Sequence, residues 1–136
     1  MKKKLLLLVL PVITLILEIV PYGAVCNFAR PATDGSIGHF RELYSYFDMT
    51  PFGYANFSPL ITAILSCFVL LLVVIYCITS KKRVLSLVKN TLPICIVISF
   101  CPLLYGIRFF SLVGALISAA LLGECLLLHF YLKKVF

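Results

Sequence analysis

SPLITAILSCFVLLLVVIYCIT, residues 58–79, runs for 22 positions without a charged side chain. Bilayer hydrocarbon about 30 Å thick needs roughly 20 mostly apolar residues of helix to cross it, at about 1.5 Å of rise each. This stretch therefore reads as a membrane span, with Ser58 as N-cap and Pro59 as first helical residue. Outward from it, residues 5–22, 84–105 and 109–132 are apolar over similar lengths. The third is interrupted by Lys89 and Asn90. A start near Thr91, with Pro93 in the first turn, strains the backbone less than a helix with an internal proline, so that boundary stays open by a turn. The expected fold class is all-α: a polytopic membrane protein, a four-transmembrane-helix bundle forming a single membrane domain over residues 1–136.

Composition agrees. With 62% hydrophobic and 12% charged residues and a mean hydropathy of +1.13, a soluble domain would have to hide more apolar surface than its volume allows. The chain is also too apolar for disorder.

The twelve basic residues set the expected orientation. Lys2, Lys3 and Lys4 precede the first span, Lys81, Lys82, Arg83 and Lys89 separate the second from the third, and Lys133 and Lys134 follow the fourth. If all four helices cross, these nine share one side, without an acidic residue. Arg30, Arg41 and Arg108 face Asp34, Glu42 and Asp48 on the other. The excess of Lys and Arg on cytoplasmic flanks places both termini in the cytoplasm of a multi-pass plasma-membrane protein. Its partner on that side is the lipid bilayer, at about 1 kcal/mol per basic group near anionic headgroups, and nucleic acid is not expected. Three lysines before an apolar run also look like a signal peptide. The run is longer than a signal core, contains Glu18 and lacks a small-x-small cleavage site, so it reads as an uncleaved anchor.

Five of the six cysteines, Cys67, Cys77, Cys95, Cys101 and Cys125, fall in spans without metal-ligand spacing. Cys26 is external. A Cys26–Cys101 bridge is conceivable, with buried free thiols as the default.

The segment Gly23 to Phe57, 35 residues, is too short for its own core and should lean on the bilayer. Ile37, Phe40, Leu43, Tyr44 and Phe47 recur at three- and four-residue steps, with His39, Arg41, Glu42 and Ser45 opposite and Ser36 as N-cap. That spacing predicts an external amphipathic helix in the first loop, facing lipid or covering the helices. Tyr22, Tyr54, Phe57 and Tyr105 form an expected outer aromatic belt, and Tyr76, Phe130 and Tyr131 an inner one. The loop reads either as a lid or as a recognition surface.

In the fourth span Ser111, Ala115, Ala119 and Gly123 follow at four-residue steps, with Gly114 and Ser118 offset by one. Small residues so placed let backbones approach closely, within the chain, in a homodimer or with another membrane protein. Acidic groups in lipid are costly. Glu18 is expected to pair with Arg108 in the turn between the last two spans. Glu124 lies deeper, with Thr14, Ser99 and Cys95 as hydrogen-bond candidates; the protonated form is the cheaper state there. The other reading of these groups is a proton or cation site. No nucleophile–base pair, phosphate loop or carboxylate pair of catalytic pattern can be assembled, so neither enzymatic activity nor a cofactor or metal is expected.

The four spans, the lysine-rich inner loop and the stretch Tyr46-Phe47 with Thr50-Pro51-Phe52-Gly53-Tyr54-Ala55-Asn56-Phe57 resemble small bacterial four-span membrane proteins of unassigned function. A fainter likeness is to small multidrug-resistance transporters. It implies that Glu18 is a proton and substrate site and that the Ser111/Ala115/Ala119/Gly123 face is a dimer contact. This chain differs from them in its longer first external loop, the outward position of its glutamate and its lack of tryptophan. Two functions follow as expectations. One is a structural or partner-binding membrane subunit. The other is a dimeric proton-coupled exporter using Glu18 or Glu124.

Overall fold

The computed structural model describes residues 2–31, 33, 35–49 and 56–135. Asp34 and the stretch 50–55, which includes Tyr54 of the expected belt, lie outside the described residues. In chain order the elements are α1 (Lys2–Ile19), β1 (Ala24–Pro31), β2 (Ile37–Tyr44), α2 (Ser58–Thr79), α3 (Lys82–Leu104), a 3-10 turn (Ile107–Phe109) and α4 (Leu112–Val135). Three helical stretches, Ser58–Thr79, Lys82–Leu104 and Leu112–Lys134, are long and apolar enough to cross a membrane. α1 has 18 residues and carries Lys2, Lys3, Lys4 and Glu18.

Each helix end has a local cause. α1 stops at Ile19, short of the expected Tyr22, because the ring of Pro21 disfavours helical backbone at Val20. α2 begins at Ser58, so Phe57 rather than Ser58 is its cap residue, and Pro59 stands in the first turn where no N–H is needed. It ends at Ser80, in left-handed conformation (φ 54), whose N–H donates to the Tyr76 carbonyl. Lys4 of α1 caps this corner: its ammonium donates to the Ser80 hydroxyl and lies 5.7 Å from the Tyr76 ring centre. α3 is continuous through Pro93 rather than starting near Thr91. Its first turns bury Leu85 and Val88, and that packing outweighs the hydrogen bond lost at the proline.

α1 packs on α2 and α4, and α3 on the same two, so the four helices enclose one interior. At the end away from the hairpin it is built on Leu7, Val69, Val73, Leu85, Val88 and Leu92, with the buried Tyr76 among them. At the hairpin end Ala24, Tyr46, Ala63, Cys95, Ile117 and Leu121 form a second cluster.

The external segment corrects the all-α expectation. No amphipathic helix forms over Ile37 to Phe47; the segment is half of an antiparallel hairpin, with Phe28 opposite Phe40 and Cys26 opposite Glu42. Ile37, Phe40, Leu43 and Tyr44 therefore do not share a helical stripe, Phe47 lies beyond the strand, and Ser36 precedes a strand instead of capping a helix. The physical reason lies in a signal that the helical reading passed over. Asp34-Gly35 is a hairpin-turn dipeptide, and Gly35 has φ +80, a conformation that costs a side-chain-bearing residue dearly. Once the chain reverses there, Ala24–Pro31 satisfies the backbone groups that a helix would have satisfied internally.

Candidate functional site

Two features carry chemistry: the polar interior of the hairpin-side half, and the hairpin seat above it. α1 turns Thr14 and Glu18 inward at four-residue spacing, and both are fully buried. Ser66 Oγ of α2 and Glu18 Oε1 are hydrogen-bonded at 2.6 Å. Ser66 Oγ also lies 3.7 Å from Cys95 Sγ of α3, and that thiol donates to the Thr62 carbonyl at 3.8 Å. On the other flank of α1, Thr14 Oγ1 and Glu124 Oε1 of α4 are 2.5 Å apart, and Thr14 Oγ1 reaches the Leu10 carbonyl at 3.0 Å. Ser118 of α4 donates to Ser99 of α3 at 3.1 Å. Each of the four neighbouring helix pairs, α1 with α2, α2 with α3, α3 with α4 and α1 with α4, is thus joined by a buried polar link, as expected where lipid supplies no hydrophobic drive for association.

The expected Glu18–Arg108 pair does not form. Glu18 takes Ser66 instead, while Arg108 sits exposed on the 3-10 turn with its carbonyl accepting from Asn27 at 3.3 Å. The reach fails because Glu18 points to the interior and the turn lies outside it. Glu124 takes Thr14, while Ser99 and Cys95 bond elsewhere. Thr14→Val keeps the shape and removes the donor; it is expected to cost about 1–3 kcal/mol, measured by denaturant unfolding in micelles.

The small-residue face divides. Ser111, Gly114 and Ser118 are buried, Gly123 is half-buried, and Ala115 and Ala119 are exposed. A four-residue step overshoots the helical turn by about 40°, so a row at constant spacing of four rotates off the contact face. The inward positions follow alternating steps of three and four. Of the aromatic belts, Tyr22, Phe57, Tyr105 and Phe130 are exposed, whereas Tyr76 is buried with its hydroxyl 3.1 Å from that of Tyr131. No disulfide forms at any of the six cysteines, and Cys26 is buried at the hairpin root.

The seat was not legible as a pattern. Ser45 and Tyr46 fold back onto the end of α1, where the Glu18 carbonyl has no helical partner; it accepts from the Tyr46 N–H at 3.0 Å and the Ser45 hydroxyl at 2.8 Å. Tyr46, 2% exposed, lies over Gly23 and Gly114 and plugs the interior. Its burial pushes the phenol above the ordinary tyrosine range. Ser111 caps α4 by accepting from the Gly114 N–H at 2.8 Å and donates to the Gly23 carbonyl at 2.5 Å. Asn27 and Arg41 lean on the turn region, the latter through the Phe110 carbonyl at 3.4 Å. The root of β1 is buried, and from Ala29 outward the hairpin is exposed on both faces. There Phe28 stacks on Phe40 with ring centres 5.3 Å apart. Nearer the root, the Tyr44 hydroxyl donates to Glu42, which pushes its pKa up to about 12.

In comparisons with family models, with curated proteins and with solved structures, nothing matches this chain.

Proposed function

We propose that the chain is a four-span bundle with both termini in the cytoplasm, acting as a partner-binding membrane subunit whose outward hairpin is the recognition element. The observation that carries this reading is the contrast within one hairpin. Its root is fixed by hydrogen bonds to the Glu18 carbonyl at the end of α1 and from the Ser111 hydroxyl ahead of α4, whereas its outer half presents Ile37 at 69% and Phe40 at 41% exposure. A two-stranded hairpin is marginal in water by itself. Holding one rigidly by its base, with apolar side chains outward, suits an apolar face from another protein. The lysine clusters at the opposite end support the orientation, and α1 supplies the fourth span.

A photo-crosslinker placed at Phe40 in intact cells is expected to give a discrete protein adduct that is lost when it is moved to Leu112 on the exposed flank of α4. Adducts to lipid alone, or the same products from both positions, would remove the recognition role. Thr33→Cys should react with an impermeant thiol reagent from outside, whereas protection there would reverse the orientation.

A further inference from the structure

Each buried carboxyl heads a short chain of polar groups, and both chains end on a main-chain carbonyl, which only accepts. From Glu124 the chain runs through the Thr14 hydroxyl to the Leu10 carbonyl. From Glu18 it runs through the Ser66 hydroxyl and the Cys95 thiol to the Thr62 carbonyl. Hydrogens can be counted along each. Thr14 has one hydroxyl hydrogen and two acceptors, Leu10 and an ionised Glu124, so one of the two contacts would lack a hydrogen. Ser66 and Cys95 have two hydrogens for three contacts if Glu18 is ionised. One proton on each carboxyl closes both counts: Glu124 donates to Thr14, which donates to Leu10; Glu18 donates to Ser66, which donates to Cys95, which donates to Thr62.

The same polarity accounts for Glu18 Oε2, a fully buried oxygen without a hydrogen-bond partner among the described residues. As an anion's oxygen it would need donors, whereas as the carbonyl oxygen of a neutral acid it costs no more than any unpaired buried acceptor. No cation offsets a charge here, since no lysine, arginine or histidine is buried among the described residues. The titratable groups near Glu18 are Tyr46 below the hairpin, Cys67 of α2, Cys95 of α3 and Glu124 of α4; those near Glu124 are Glu18 and Cys95.

We infer that Glu18 and Glu124 are two proton-binding sites, each carboxyl holding a proton and donating it to an interhelical hydroxyl, Ser66 and Thr14 respectively. One contact joins α1 to α2 and the other joins α1 to α4. Loss of either proton leaves its chain one hydrogen short, so proton release costs one of the contacts along that chain. α1, the helix that carries Glu18, is therefore held on both flanks by proton-bearing contacts, and through its Glu18 carbonyl it also holds the hairpin.

The test is infrared spectroscopy of the purified full chain in lipid at neutral pH, in ordinary and heavy water. Two carboxylic-acid carbonyl bands that shift on deuteration are expected, the first lost in Glu18→Gln and the second in Glu124→Gln. Glutamine keeps a donor toward the hydroxyl, so both variants should fold. Ser66→Ala should shift only the first band and Thr14→Val only the second. Absence of protonated-carboxyl bands from the unsubstituted protein overturns the inference whatever the variants do, and a band that survives its own Glu→Gln substitution overturns it for that residue.

Discussion

Tyr46→Ala is expected to lower the unfolding free energy by about 3–5 kcal/mol, the range for removing a fully buried aromatic ring. The ring fills the hairpin end of the interior against Ala24, Ile117 and Leu121, and the backbone around it is fixed by hydrogen bonds that limit collapse into the void. Tyr46→Phe keeps that packing and should cost under about 1 kcal/mol, since shape-conserving core swaps are tolerated. Denaturant titration in micelles compares the two. A Tyr46→Ala protein as stable as Tyr46→Phe would mean that the ring is not the plug described above. The larger loss should also detach the hairpin, read as new protease cleavage between Ala24 and Tyr44.

Gly23→Ala is expected to destabilise by about 1–3 kcal/mol through overpacking, a large effect for one added methyl group. A Cβ there would stand 2.8 and 2.9 Å from two carbons of the Tyr46 ring. An aromatic ring wedged between Gly23 and Gly114 cannot swing aside as the end of a flexible side chain would. The two sites share one contact, so their effects should be non-additive. In a Tyr46→Leu background Gly23→Ala should cost distinctly less than in the native chain, and equal penalties in the two backgrounds would refute the close approach.

These two residues show where the sequence was readable. Gly23 and Tyr46 are 23 positions apart and belong to no periodic pattern; only the folding back of the hairpin onto α1 brings them together. The helices were legible because lipid crossing demands long apolar runs, and 58–79 and 84–105 lie within two residues of α2 and α3 at each end. The external segment was misread because Ile37, Phe40, Leu43, Tyr44 and Phe47 satisfy a helical spacing locally, while the competing strand pairing depends on Ala24–Pro31, beyond any local window. Asp34-Gly35 was the available clue. The Glu18–Arg108 pairing rested on similar depth along neighbouring helices. Depth says nothing about direction around the helix axis, and Glu18 shares its face with Thr14 toward Ser66.

The amino-acid order by itself determined the apolar helices, the side of the molecule that carries the lysines, and the presence of two carboxyls within apolar stretches, because each follows from hydropathy and charge along the chain. The tertiary structure alone decided that the first loop is a hairpin, that Tyr46 closes the interior, and which hydroxyl meets each glutamate. Those outcomes depend on contacts between residues as many as 110 positions apart, as for Thr14 and Glu124, and rotation of each helix about its axis is set by packing against its neighbours.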